Sequence, residues 1–286
     1  MSTVFTMPGK MGDALLQWPV VRAWLDQRGQ SCELWVDEKT CSGLVELFEA
    51  QPGVTGCKTI GGVENYRVGG QPFHMNIDHK QLEGRTVYHL GMRQFPQRQI
   101  TQQALLDSRC GINDPLRWNP SLEAGGEVGS EDRLVLNGQA VCGHSQTSPQ
   151  FWKFYAGVRE TCEEEFASIS FVGSPDDLEV ANQFISRLPA ASAAKYSLFR
   201  DGGSILRCAE HMQNSRAFIG SGSSMAALAG ALGVPAIRVH DPIGDHPKAI
   251  WSNLGDNQVN DTEVGLRKTF WEWLAQYVLE GEKETT

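Results

Sequence analysis

Gly9, Lys10, Gly12 and Asp13 stand together in "PGKMGD", between the apolar run "VFTM" and a run in which Leu15, Leu16, Val20, Val21, Trp24 and Leu25 recur at helical spacing. A carboxylate and an amine at the mouth of a helix can do two kinds of chemistry. Asp13 can take a proton from an attacking hydroxyl as a general base, and Lys10 can offset phosphate charge. Each residue also has an ordinary role: Asp13 as a helix N-terminal cap, Lys10 as a solvated loop lysine. The GxxxxGK[ST] spacing of a phosphate-binding P-loop is absent. A second cluster lies in "RAFIGSGSSMAALAGALG". There Gly220, Ser221, Gly222, Ser223, Ser224 and Met225 lead into a helix lined by Ala226, Ala227, Ala229, Gly230 and Ala231. Backbone N–H groups and hydroxyls gathered at such a helix start suit a diphosphate. The competing role is a serine cap followed by tight packing. His144, in "NGQAVCGHSQTS", follows a strand candidate and is a further candidate for ligand contact.

The pattern around these clusters predicts elements able to position them. "VFTM", "CELWV", "GCKTI" and "TVYHL" read as strands, and "RQITQQALLDSRCGI" as a helix ending at Gly111. Pro19, inside the first helix, is expected to kink it or limit its first turn. Residues 119–132, "NPSLEAGGEVGSED", lose large apolar side chains and read as a linker. Beyond them "RLVLN", "ASISFVG", "KYSLF", "RAFIGS" and "PAIRVH" alternate with helical stretches. Such alternation predicts an α/β fold of two Rossmann-like parallel-sheet domains facing a cleft. The expected boundaries are 1–122 for the N-terminal domain, 133–260 for the second, and 261–286 for a C-terminal helix and tail. That helix, rich in aromatics from Phe270 to Tyr277, is expected to pack back across the domains.

Composition narrows the function. The chain has 286 residues, 41% hydrophobic and 21% charged, with a net charge of −9. The charge argues against a broad nucleic-acid-binding face. One local excess of base, from Arg67 through His74, Arg85, His89 and Arg93 to Arg98, leaves an anionic acceptor open: a phosphorylated glycan, a lipid headgroup or a polynucleotide. Seven cysteines without a CxxC pair suggest thiols in a reducing compartment, and the seven histidines form no metal-binding pattern. No apolar run approaches the ~20 residues of a membrane span. A soluble, cytoplasmic protein without a metal site is expected.

"KMGDALLQWPVVRAWL", "FWKFYAGVRE", "SISFVGSPDDLEVANQF" and "SILRCAEHMQNSRAFIGSGSSMAALAGALGVPAI" together resemble glycosyltransferase family 9, the heptosyltransferase-like enzymes of the GT-B fold. The resemblance implies metal-independent, inverting transfer of a sugar from a nucleotide-diphosphate sugar to a glycan, lipid-linked or other hydroxyl acceptor. Asp13 matches the catalytic base, and Gly222 to Met225 match the donor diphosphate site. The chain departs from the family pattern at two places. Gly222, Ser223, Ser224 and Ala227 stand where the family has Asp, Thr or Ser, Gly and then His. The family lysine before the second domain's Trp-containing helix is displaced to Lys153. Lys10 or His144 is then the cation left to meet the phosphates. Two other functions fit the same residues: a non-catalytic nucleotide or sugar-nucleotide binder, and a nucleic-acid-modifying glycosyltransferase.

Overall fold

The computed structural model describes residues 2–61, 77, 79–90, 100–113, 121–137, 155, 157–160, 162–200, 202–221, 224–240 and 258–262. They form two parallel sheets. The first holds β1 (Thr3–Met7), β2 (Cys32–Asp37), β3 (Val54–Ile60) and β4 (Thr86–His89), in the order β3-β2-β1-β4. The second holds β5 (Glu131–Asn137), β6 (Ser168–Phe171), β7 (Tyr196–Leu198), β8 (Ser215–Ser221), β9 (Ala236–His240) and β10 (Gln258–Thr262), in the order β10-β9-β8-β5-β6-β7. Every described pairing is parallel. The described helices are α1 (Met11–Arg28), α2 (Glu38–Cys41), α3 (Val45–Glu49), α4 (Ile100–Ser108), α5 (Pro175–Ile185), α6 (Ala190–Ala193), α7 (Ile205–Gln213) and α8 (Ser224–Ala231). Residues 157–160 are helical as well. The expected α/β architecture of two parallel-sheet units is therefore the observed one.

All five residues of β1 are buried, as expected of a strand covered on both faces. Phe5 and Met7 face one core, where Trp24 meets the Phe5 ring edge-on at 5.3 Å. Val4 faces a smaller cluster with Trp35 and Ile60. α1 is buried almost all round from Ala14 to Leu25, because it lies against β1, α4 and α8 together. The small side chains of α8, from Ala226 to Ala231, permit that close approach. One continuous apolar cluster consequently joins the two sheets, running from Phe5 and Leu16 through Ala227 to Val135 and Phe218.

Four local expectations need correction. The helix runs on through Pro19 to Arg28, so the proline does not confine its first turn. The stretch read as a linker begins as a buried strap. Ser121, Leu122 and Ala124 are buried, and the Ser121 and Leu122 N–H groups both donate to the Ala231 carbonyl at 2.8 and 2.9 Å. Trp18 Nε1 donates to the Ser121 carbonyl at 2.6 Å, and the Gln51 side chain makes paired bonds with the Glu123 backbone. Small residues let the strap lie flush between the halves. Glu127 to Ser130 are exposed, as a linker would be. At the other end, Asp261 and Thr262 belong to edge strand β10, so neither begins the terminal helix. The remainder of that expected helix lies outside the described residues. Finally, "GCKTI" is the end of a longer strand that starts at Val54.

Candidate functional site

Strand order alone marks where a ligand belongs. From β1 the chain moves outward to β2 and β3, then returns to the other side of β1 as β4. In the second sheet it moves from β5 to β6 and β7, then returns beside β5 as β8. The carboxyl ends of β1 and β4, and those of β5 and β8, thus mark two topological switch points. The first cluster, "PGKMGD", follows β1, and of the second Gly220 and Ser221 end β8 while Ser224 and Met225 begin α8.

At the first switch point the turn is built tightly. Gly9 has φ +113°, and a Cβ there would lie 2.8 Å from both Cβ and Oδ2 of Asp13. Only glycine fits without displacing the carboxylate. Lys10 then caps α1, and its backbone N–H donates to Asp13 Oδ2 at 2.8 Å. Asp13, three residues into the helix, is half-buried and stands where the helix N-terminus favours negative charge. Gly12 lies beside it in the first turn, and Lys10 is exposed.

Buried Gln17 and Cys41 and half-buried Thr40 hold this turn from below. Gln17 Nε2 donates to the Pro8 carbonyl at 2.8 Å. Thr40 Oγ1 and Cys41 Sγ donate to the Gly9 carbonyl at 2.9 and 3.4 Å. Burial pushes the Cys41 thiol up to about 12, so it is a neutral S–H donor at physiological pH. None of these three residues was expected at the site. The signal for Thr40 and Cys41 was positional: β2 pairs with β1, so the residues just after β2 must sit beside the loop leaving β1.

At the second switch point Ser224 is half-buried and Met225 buried at the start of α8, with Cys208 Sγ 3.9 Å from Met225 Sδ. Contacts link this helix start to the first. A Cβ on Gly43 would lie 3.1 Å from Ile205 and 3.7 Å from Met11 at the head of α1, and Cys208 follows Ile205 by one turn of α7. Gly222, Ser223, His144 and Lys153 lie outside the described residues. So do Arg67, His74, Arg93 and Arg98 of the basic segment. Within the described part of that segment, Arg85 pairs with Glu33 at 2.6 Å and Tyr88 packs against Phe5 at 5.1 Å. His89 is exposed and bonds Thr6 Oγ1 at 2.9 Å. Among the described residues no three His, Cys, Asp or Glu side chains converge as a metal site, and no helix is long and apolar enough to cross a membrane.

The architecture matches known structures along its whole length. Escherichia coli ADP-heptose LPS heptosyltransferase II superposes with a TM-score of 0.67 at 11% identity, covering 99% of this chain and 100% of that one. The chain shares its fold. E. coli heptosyltransferase WaaC with ADP gives 0.63 at 11% identity, covering 96% and 100%. A family 9 glycosyltransferase from Veillonella parvula gives 0.62 at 13%, covering 98% and 97%. No protein-family model and no curated protein sequence matches the chain. The similarity to the heptosyltransferases thus lies in the course of the backbone far more than in its side chains.

Proposed function

We propose that the protein is a glycosyltransferase that moves a sugar from a nucleotide-diphosphate sugar to a hydroxyl acceptor by metal-independent inverting displacement, with Asp13 as general base. The observation that carries this reading is the Asp13 carboxylate at the head of α1, at a switch point of a heptosyltransferase-type fold. In the reaction the acceptor oxygen attacks the anomeric carbon as Asp13 takes its proton. The bond from that carbon to the diphosphate oxygen breaks, and configuration inverts. Charge gathering on the departing diphosphate is met by the N–H groups at the start of α8, near Ser224 and Met225, and by Lys10. Gly12, Gly222, Ser223 and His144 complete the donor side in this scheme. Two WaaC structures that share the fold hold ADP and ADP-2-deoxy-2-fluoro heptose, which supports a nucleotide diphosphate donor here. The first domain, 1–122, takes the acceptor and the second, from 133 through the end of β10 at Thr262, the donor, with the segment after Thr262 bridging them in a cytoplasmic enzyme.

Replacing Asp13 with Asn tests the scheme. Turnover should fall by roughly 10²- to 10⁴-fold while nucleotide diphosphates still bind and stabilise the fold. Unchanged transfer removes Asp13 as base. Absence of donor hydrolysis in the wild-type chain, with nucleotide binding intact, favours the non-catalytic binder suggested by Gly222 in place of a carboxylate.

A further inference from the structure

Two donors, half-buried Thr40 and buried Cys41, reach the far end of the peptide group that holds Asp13. The Gly9 carbonyl accepts from Thr40 Oγ1 at 2.9 Å and from Cys41 Sγ at 3.4 Å, and the N–H on the other side of that peptide, Lys10 N, donates to Asp13 Oδ2 at 2.8 Å. In a trans peptide the C=O and N–H point in opposite directions. Fixing the carbonyl from below therefore aims the N–H at the carboxylate above, and donation to the carbonyl polarises the amide and strengthens the N–H as a donor. Thr40 is itself held by Asp37, whose Oδ1 lies 2.7 Å from Thr40 N and 2.6 Å from Thr40 Oγ1. The hydroxyl has one proton for two acceptors, so the Cys41 thiol secures the Gly9 carbonyl when the hydroxyl turns to Asp37.

We infer that Thr40 and Cys41 are positioning residues for Asp13, acting through the Gly9–Lys10 peptide to hold its carboxylate charged and aimed. The inference rests on the reading of Asp13 as the base. The charged or titratable groups around the turn include Lys10 on its own loop, Asp37 and Cys41 from the corner after β2, and Cys57 on β3, which faces Cys41. The first turn of α8 contributes none. Both Thr40 and the Cys41 thiol are neutral near pH 7. Removing them changes the direction and strength of one hydrogen bond without altering local charge. A weaker bond to the ionised form raises a carboxyl pKa.

The test compares Thr40→Val, Cys41→Ala and the double variant with Thr40→Ser in the full chain. The Asp13 carboxyl is titrated by carbon NMR without substrate, and transfer is followed across pH. We expect the Asp13 midpoint to rise by roughly half a unit to one unit in the double variant, with Thr40→Ser returning to the wild-type value. The acid limb of kcat/KM should move with it, while the donor KM stays within about twofold. A midpoint that stays put while Tm falls overturns the inference and leaves the pair with packing alone. Should Thr40→Val fail to fold, Cys41→Ala must still move the midpoint, and no movement there also overturns it. The titration needs no turnover. Loss of transfer in Asp13→Asn with an unmoved midpoint sinks only this inference, whereas full transfer in Asp13→Asn sinks the reading of Asp13 as base.

Discussion

After β1 the chain turns through Gly9 at φ +113° and Lys10 into α1; after β6 it turns through Gly173 at φ +148° and Ser174 into α5. In both turns a Cβ on the glycine would lie 2.8 Å from Cβ and Oδ2 of an aspartate, Asp13 or Asp177. In both, the N–H of the capping residue donates to that aspartate's Oδ2 at 2.8 Å. The turns part at the cap itself. Ser174 Oγ donates to Asp177 Oδ2 at 2.7 Å and accepts from Asp177 N at 3.2 Å, closing a capping box. Lys10 has no side-chain oxygen to do the same. Asp177 is 5% exposed, and desolvation, opposed by the bonds from Ser174, raises its carboxyl above the usual range. Asp13 is half-buried. One backbone device thus yields a buried, serine-capped carboxylate in one half and a half-buried carboxylate in the other, with a different residue after the glycine in each.

The widest gap between the two turns should appear in turnover. Asp13→Asn is expected to lose about 10²- to 10⁴-fold in kcat, whereas Asp177→Asn keeps kcat at saturating donor. Because burial penalises the charged form of Asp177, its contribution to stability is fully present below the unfolded value near ~3.9 and is lost as pH rises through the folded one. Asp177→Asn should therefore raise Tm at neutral pH. Equal losses of kcat in the two variants would break the comparison.

Next in size is the backbone they share. Gly9→Ala and Gly173→Ala each force a side chain into a region that L residues rarely adopt and push it against the aspartate. Each should cost ~2–3 kcal/mol, a fall of several degrees in Tm by calorimetry. Adding Asp13→Ala to the first, or Asp177→Ala to the second, removes the contact with Oδ2 and leaves that with Cβ, so both double-mutant cycles should show the same partial coupling, up to about 1 kcal/mol. Coupling in one turn alone would mean that the geometries are not equivalent.

How legible all this was depended on sequence distance. The strands and helices were readable because strands buried on both faces appear as apolar runs, and "GKMGD" displays its turn within five residues. "GSPDD" shows the same glycine-to-aspartate spacing after a strand, so the twin could have been read as well. Strand β10, "QVNDT", sits at a sheet edge and has no apolar signature. The strap from Ser121 to Ala124 looked like a linker because small residues serve a flush buried fit and a solvated tether equally. Thr40 reaches Gly9 across 31 positions, a contact created only when β1 and β2 pair.

Acid acts on the second half through two groups of opposite sign. His211, on α7, stacks on Phe199 at 3.9 Å, bonds Ser170 at 2.9 Å and meets the Arg133 guanidinium. Burial, and then Arg133, push its pKa down to about 4. A depressed histidine contributes stability that is present above its unfolded value near ~6.5 and is lost as pH falls through about 4. With partial exposure discounted, the loss should reach ~2 kcal/mol, seen as a falling Tm between pH 7 and 4. Asp177 works in the opposite direction over the acid range. His211→Gln should flatten the slope. An unchanged slope in that variant would move the acid sensitivity elsewhere.

The smallest effect bears most directly on the comparison. Lys10→Ser transplants the residue that seals Asp177 onto the turn that carries Asp13. The new hydroxyl can donate to Asp13 Oδ2 and accept from Asp13 N, as Ser174 does for Asp177. A closed capping box should add ~0.5–1 kcal/mol of stability. The same bonds engage the carboxylate and lower its basicity, so turnover should fall. Lys10→Ala separates the two consequences, since it removes the amine without supplying a cap. Stability should then rank Ser above Ala at position 10, and kcat should rank Ala above Ser, with any loss of phosphate affinity common to both. If the two variants match in both Tm and kcat, the side chain at the cap does not govern whether the aspartate is sealed, and the difference between the halves has to be sought in what packs over each turn.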